Sequence, residues 1–145
     1  MIPEPKLNDL YQEVILDHNR RPRNFKEIPN PSHYSHGYNP LCGDDFHLYL
    51  RVEGGIIQDV GFKGQGCAIS KSSASILTSM IKGKSLEDAR KLAGDFIDFM
   101  VEENKGDLKS RIGRLSIYEG VKEFPVRVKC TTLIFHALQD AAKDS

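Results

Sequence analysis

Apolar residues recur at intervals of three and four in several segments of the chain, which is the spacing that places them on one side of a helix. Helices are predicted for residues 7–18, 69–81, 86–101 and 131–142. Pro22 is expected to end the first helix, because proline disfavours helix in the residue before it. Gly83 is expected to end the second, because glycine readily adopts the left-handed conformation that closes helices.

Between these helices the pattern weakens. Lys105-Gly106-Asp107 is predicted to be a break, and Ile112, Leu115 and Tyr118 have the spacing of a short helical turn. Pro125 is expected to separate that turn from the last helix.

One segment alternates apolar and polar positions, as a half-buried β-strand does. Its apolar positions are Phe46, Leu48, Leu50 and Val52. Glu53-Gly54-Gly55 supplies a turn. The return strand presents Ile56, Val60 and Phe62. The alternation therefore predicts a β-hairpin.

A hairpin is marginally stable by itself, so a third strand or packed helices must complete the sheet. Residues 26–41 are rich in proline and glycine and are predicted to form a long loop. The extended stretch 32–40 within it is one candidate third strand, and Phe124–Lys129 is the other. The predicted class is α+β, with a small antiparallel β-sheet packed against several α-helices in a single domain covering residues 1–145.

The composition of the chain excludes several classes of function. The chain has 145 residues, with 20 Lys plus Arg balanced by 20 Asp plus Glu. Without a basic excess, neither nucleic acid nor a membrane surface is an expected partner. No apolar run approaches the ~18 residues that cross a bilayer. Residues 1–6 lack the features of a signal peptide, so we expect a cytoplasmic protein.

The chemistry is concentrated in three cysteines, Cys42, Cys67 and Cys130, and in Asp44. Three thiolates and one carboxylate supply the four ligands of a tetrahedral zinc ion or an iron–sulfur cluster. An odd number of cysteines favours free thiols or ligands over a disulfide framework. The bland alternative is that each cysteine is a small apolar core residue.

The predicted layout brings these residues together. Cys42 lies in a turn before the hairpin, where Gly43 lets the chain bend so that Asp44 faces the same way. Cys67 follows the return strand at the start of a helix, and the antiparallel hairpin places it at the same edge as Cys42. Cys130 is expected at the start of the last helix. Helix N-termini favour thiolates, which suits metal ligation.

The predicted ligands differ in how readily they are expected to exchange. Asp44 is a harder ligand than a thiolate, so it is the ligand expected to exchange. Basic residues near the ligands in sequence could offset their negative charge; they are Lys63, Lys71, Arg127 and Lys129. The five histidines are expected at the surface or around the site rather than as ligands; they are His18, His33, His36, His47 and His136.

At several motifs the chain resembles the U-type iron–sulfur cluster assembly family, which includes the IscU, NifU N-terminal and SufU proteins. The motifs are Leu10–His18 with Pro22-Arg23-Asn24, Asn39–Asp44, Gly64–Ser70 with Ser73-Ala74-Ser75, and Arg127–Leu133. The resemblance covers nearly the whole chain and implies a SufE/NifU-like fold.

Three departures from the IscU type resemble the SufU branch. Lys129 stands where IscU proteins carry a histidine. Glu123-Phe124-Pro125-Val126-Arg127 replaces a Leu-Pro-Pro-Val-Lys chaperone-recognition segment. The stretch between Cys67 and Cys130 is also longer. The SufU branch holds zinc through three cysteines and an aspartate, and it accepts sulfur from a cysteine desulfurase that uses pyridoxal phosphate.

The resemblance implies that Cys42, Asp44, Cys67 and Cys130 bind zinc, or alternatively iron or a [2Fe–2S] cluster. It makes Cys42 the sulfur acceptor and Asp44 the exchangeable ligand, and we assign Arg127 and Lys129 to the partner surface. The implied partners are a SufS-like desulfurase and iron–sulfur recipients or downstream assembly proteins. A cluster scaffold and a purely structural zinc protein are the alternative functions.

Overall fold

The structure is a computed structural model that describes residues 6–101 and 106–143. In chain order its elements are α1 (Lys6–Arg20), β1 (His33–Asn39), β2 (Asp44–Glu53), β3 (Ile56–Gln65), α2 (Ala68–Ile81), α3 (Leu86–Val101), α4 (Gly106–Ile112), a 3₁₀ segment (Gly113–Glu123) and α5 (Pro125–Ala142). The predicted α+β class is confirmed.

The strands form one antiparallel sheet in the order β1-β2-β3. The predicted hairpin is β2–β3, and its turn residues Gly54 and Gly55 both have positive φ, which suits a two-residue turn. The prediction for Ile56 is wrong: it is exposed, and Ile57 is buried instead. A shift in pairing between Arg51 and Val52 accounts for this, because a one-residue slip exchanges the two faces of a strand.

The third strand is β1, so the candidate 32–40 is confirmed and the loop predicted over 26–41 is too long. The other candidate, Phe124–Lys129, is wrong because α5 begins at Pro125. Proline is favoured in the first turn of a helix, where its missing N–H would have no partner inside the helix. Pro125, which was expected to separate a short turn from the last helix, is therefore the first residue of α5.

The four predicted helices are present as α1, α2, α3 and α5. α2 ends at Ile81 and is followed by Gly83 at φ +92°, as the sequence predicts. The predicted break begins at Lys105, which lies outside the described residues, while Gly106 already starts α4. The predicted short turn is a longer 3₁₀ segment. No helix in the described part of the chain is long and apolar enough to span a bilayer.

Helices cover one face of the sheet. β2 alternates buried Asp44, Phe46, Leu48 and Leu50 with partly exposed residues, so this face meets the core. Contacts between α5 and the strands β1 and β2 place that helix against the sheet. The opposite face carries the exposed Tyr34, Tyr38 and other polar or aromatic side chains.

Ser75 of α2 anchors the N-terminal helix. Its hydroxyl is 2.7 Å from Nδ1 of His18, which is 4% exposed, and it accepts a hydrogen bond from the N–H of Arg23 at 2.8 Å. Asn24 donates from Nδ2 to Oγ1 of Thr78 at 3.1 Å. These bonds explain why a polar motif follows α1: it ties α1 to a serine-rich helix.

Burial, together with the nearby charges of Arg23 and Arg114, lowers the pKa of His18 to about 4. Unfolding exposes the imidazole and returns its pKa to about 6.5. The unfolded chain therefore binds more protons between these values, so stability is lost as the pH falls through this window.

We predict that His18→Gln weakens this pH dependence. The free energy of unfolding, measured by urea denaturation at about pH 7 and about pH 5, should fall less for the variant than for the unaltered protein. His136→Gln, at an exposed histidine of α5, is the control and should keep the full dependence. An equal fall in His18→Gln would contradict the assignment.

Candidate metal centre

The centre is built around a carboxylate at the first residue of β2. Residues 40–43 form the turn between β1 and β2, and Gly43 adopts φ +70°, which favours glycine. The turn aims Asp44 at the core face of the sheet, where it is fully buried. The prediction that Gly43 reorients the chain before Asp44 is consistent with this geometry.

One oxygen of this carboxylate accepts hydrogen bonds and the other does not. Oδ1 of Asp44 accepts hydrogen bonds from the N–H of Cys67 and the hydroxyl of Ser70, both at 3.0 Å. Oδ2 is buried and has no hydrogen-bond partner among the described residues. A buried charged oxygen without a partner is costly, so Oδ2 is suited to a cation.

Two sulfurs converge on the same place. A sulfur of Cys42, a sulfur of Cys130 and a carboxylate oxygen of Asp44 all lie within 4.8 Å of one another. The Cys42 and Cys130 sulfurs are paired as a disulfide, contrary to the expectation of free thiols or ligands. Their Cα atoms are 6.9 Å apart across 88 residues of sequence. Only reduction of this pair gives the two thiolates that a metal site requires.

The backbone N–H of Cys67 contacts this group through its hydrogen bond to Asp44, but the sulfur of Cys67 does not join the group. Its sulfur lies outside the three-residue group and accepts a hydrogen bond from the N–H of Ser70 at 3.4 Å, as the N-cap of α2. The prediction of Cys67 at a helix start is therefore confirmed. The same prediction for Cys130 is wrong, because α5 begins at Pro125 and Cys130 lies in its second turn.

The converging ligand residues differ in their exposure to solvent. Asp44 and Cys130 are 0% and 2% exposed, whereas Cys42 is only partly buried. The sulfur of Cys42 lies 4.0 Å from the carbonyl oxygen of Val126, at the N-terminal end of α5. Of the three converging ligand residues, Cys42 is thus the one that a partner protein can reach.

The four basic residues that lie near the predicted ligands in sequence differ in their surroundings. The ammonium groups of Lys63 and Lys71 lie over the ring of Phe25, at 4.4 and 4.9 Å from its centroid. Arg127 and Lys129 are exposed on α5 just before Cys130. The second pair is thus exposed, whereas Lys63 and Lys71 are only partly exposed.

Sequence reasoning missed two residues that shape the centre. Ser70 holds Oδ1 of Asp44, as described above. A Cβ on Gly66 would lie 2.5 Å from Oδ1 of Asp44 and 2.7 Å from Oγ of Ser70. Ser70 is three residues after the N-cap Cys67, a spacing typical of residues that bond around a helix start and a signal that could have identified it.

The donor set fits zinc or iron. Thiolates from Cys42 and Cys130 and a carboxylate oxygen of Asp44 provide three ligands of the kind that both metals accept. Cys67 can provide the fourth if its side chain turns away from the N-cap position. The unpartnered Oδ2 is the structural observation that points to a cation at this place.

Comparisons with known proteins identify the family of this chain. A family model described as the NifU-like N terminal domain matches residues 10–131. The zinc-dependent sulfurtransferase SufU of Bacillus subtilis (strain 168) is 41% identical over 133 residues, which cover 92% of this chain and 89% of that protein.

Two further proteins extend the comparison. The iron–sulfur cluster assembly scaffold protein IscU of Streptococcus pyogenes serotype M1 is 37% identical over 140 residues, covering 97% of this chain and 87% of that protein. The crystal structure of FiSufU from Fervidobacterium islandicum AW-1 superposes with a TM-score of 0.83 at 31% identity, covering 94% of this chain and 98% of that one. The chain therefore belongs to the NifU-like N-terminal domain family, the U-type family of iron–sulfur cluster assembly, and within it resembles the SufU branch.

Proposed function

We propose that this protein is a zinc-dependent sulfur carrier that accepts sulfane sulfur on Cys42 from a SufS-like, pyridoxal-phosphate-dependent cysteine desulfurase. The observation that carries the proposal is the difference in exposure among the converging ligands: Cys42 is partly exposed on a turn, while Asp44 and Cys130 are buried. The similarity to a zinc-dependent sulfurtransferase supports the same function.

Zinc would be held by Cys42, Asp44, Cys67 and Cys130. When bound, it keeps the thiols deprotonated and contributes to folding, because metal binding and folding share one free energy in such sites. A cytoplasmic setting suits this role, because reducing conditions keep Cys42 and Cys130 from remaining paired.

The transfer step is a thiol exchange. The Cys42 thiolate attacks the outer, sulfane sulfur of the persulfide on the desulfurase cysteine. A bond forms between Cys42 and that sulfur while the bond to the desulfurase cysteine breaks, and the electron pair leaves with the desulfurase thiolate. No external oxidant or reductant is consumed, and Cys42 ends as the persulfide.

Asp44 is suited to be the exchangeable ligand without moving the chain. Its Oδ1 stays anchored by the N–H of Cys67 and the hydroxyl of Ser70, so only Oδ2 needs to bind or release a cation. The carboxylate is also the hard member of a soft set, which favours exchange at this position.

The desulfurase is proposed to dock where Cys42 reaches the surface. Leu41, Phe124 and Val126 are exposed apolar residues on the turn and at the start of α5. Arg127 and Lys129 continue this surface with positive charge. An apolar patch with a charged rim is typical of protein interfaces, so we assign Arg127 and Lys129 to partner binding.

A second candidate function is a scaffold that assembles a [2Fe–2S] cluster on the same ligands and passes it to recipient proteins. The similarity to an IscU scaffold over nearly the whole chain favours it. Lys129, in place of the histidine of IscU proteins, favours the sulfur carrier instead. A structural zinc protein would use the same site without any exchange of ligands.

Sulfur from the desulfurase should appear on Cys42. We expect Cys42→Ser to reduce desulfurase stimulation to the activity of the desulfurase alone, because it removes the accessible nucleophile. The measurements are sulfide release under reducing conditions and mass-spectrometric mapping of the added sulfur atom. The metal content of the purified protein is recorded alongside.

Cys67→Ser is the matched change at the other partly exposed cysteine. It should weaken metal binding while still allowing sulfur to reach Cys42. Sulfur mapped to Cys67 or Cys130, or undiminished stimulation by Cys42→Ser, would overturn the carrier function. Purification with an iron–sulfur chromophore and no stimulation would favour the scaffold.

Gly66→Ala should weaken zinc binding without touching a ligand. The new methyl group would collide with Oδ1 of Asp44 and Oγ of Ser70 and displace the anchored carboxylate. Loss of such supporting contacts typically costs about 10- to 100-fold in metal affinity. Competition with a chromogenic chelator measures the change.

Gly120→Ala is the control, because a Cβ there meets nothing within 4 Å. It should leave zinc affinity unchanged. Equal zinc affinities for the Gly66→Ala and Gly120→Ala variants would show that the position of Asp44 does not govern the metal centre.

A further inference from the structure

A second cluster of ligating side chains lies on the exposed face of the sheet. Nε2 of His36 is 2.6 Å from Oδ1 of Asp45, and Nε2 of His47 is 3.7 Å from the same oxygen. One ligand atom from each of the three residues lies within 4.8 Å of the others. All three side chains are between about one third and one half exposed, so an ion in solution can reach them.

The strand pairing itself creates this arrangement. His36 of β1 and His47 of β2 are direct cross-strand partners, and their rings stack with centroids 4.4 Å apart. Asp45 lies two residues before His47, so both point to the same face. The rigid backbone of two paired strands thus brings the three groups together before any ligand arrives.

This cluster is separate from the cysteine centre. Asp44 and Asp45 are neighbours in β2, but successive side chains of a strand point to opposite faces. Asp44 is fully buried on the core face, whereas the side chain of Asp45 is 40% exposed. One strand therefore presents one carboxylate to each side of the sheet.

The tyrosine beside His47 strengthens the case for a metal. The hydroxyl of Tyr34 is 2.5 Å from Nδ1 of His47. A hydrogen bond at one ring nitrogen fixes the ring and leaves the other nitrogen for coordination, as is usual for metal-binding histidines. Here the nitrogen left over is Nε2, the atom that faces Asp45.

The basic residue that pairs with His47 on the third strand is directed to an aromatic ring. Lys63 is the cross-strand partner of His47 on β3. Its ammonium group lies 4.4 Å from the centre of the Phe25 ring. Lys63 is thereby engaged by an aromatic ring, while Asp45 pairs with the imidazoles of His36 and His47.

We propose that His36, Asp45 and His47 form a second metal site that binds a divalent first-row transition ion, with zinc as the test ion. Two imidazoles and a carboxylate are ligands that suit such ions, and solvent can fill the remaining positions. The proposal revises the expectation that His36 and His47 are not ligands. It does not depend on sulfur transfer, because the two centres share no residue.

The test uses the full-length reduced protein with its cysteine centre already loaded with zinc. Further zinc is titrated by calorimetry, and the histidine ring signals are followed by NMR. One additional zinc should bind, with His36 and His47 signals shifting together. The double variant His36→Gln/His47→Gln should lose this binding, and the exposed-histidine control His136→Gln should retain it.

A second variant tests the supporting hydrogen bond. Tyr34→Phe should weaken the additional zinc about 10-fold, because His47 loses its orienting partner. Cys42→Ser should leave this site intact even if it abolishes sulfur transfer, so failure of one proposal is distinguishable from failure of the other. No additional zinc in the unaltered protein, or retention by the double variant, would overturn the second site.

Discussion

The buried carboxylate of Asp44 is the constraint around which this molecule is organised. A carboxylate in the core is costly unless it is hydrogen-bonded or paired with a cation. Here the N–H of Cys67 and the hydroxyl of Ser70 satisfy one oxygen, which ties the start of β2 to the junction between β3 and α2. A carboxylate oxygen of Asp44 lies within 4.8 Å of the sulfurs of Cys42 and Cys130, so the same residue links the fold to its chemistry.

The different proposed roles of the ligand residues follow from how deeply each one is buried. Cys130 is enclosed in the second turn of α5, and Asp44 is enclosed under the sheet edge, so neither can meet a second protein without local opening. Cys42 is on a turn beside exposed Leu41. Among the three converging ligands, a partly exposed Cys42 beside the buried Cys130 and Asp44 suits group transfer, because the reacting thiol can meet a partner.

The sheet also explains how two different ligand clusters can share one strand. Side chains alternate across β2, so the sulfur-containing centre takes Asp44 from the core face and the imidazole cluster takes Asp45 from the solvent face. The first face is buried in the core, where Asp44 is shielded from solvent. The second is open to water and favours an ion that exchanges with solution.

Sequence alone determined the features that depend on local periodicity and residue chemistry. The alternation after Asp44 predicted the hairpin, the three- and four-residue spacing predicted the main helices, and three cysteines with one aspartate indicated a candidate metal site. Tertiary structure decided what depends on distant contacts. Proline at 125 was compatible with a separator or a helix start, and packing of α5 on the sheet selected the start. His36 was assigned to a loop because residues 26–41 are rich in proline and glycine; its pairing with His47 arises from β2, a separate segment. The direction of each cysteine sulfur was likewise beyond the sequence, because side-chain orientation is set by neighbours that only folding brings together.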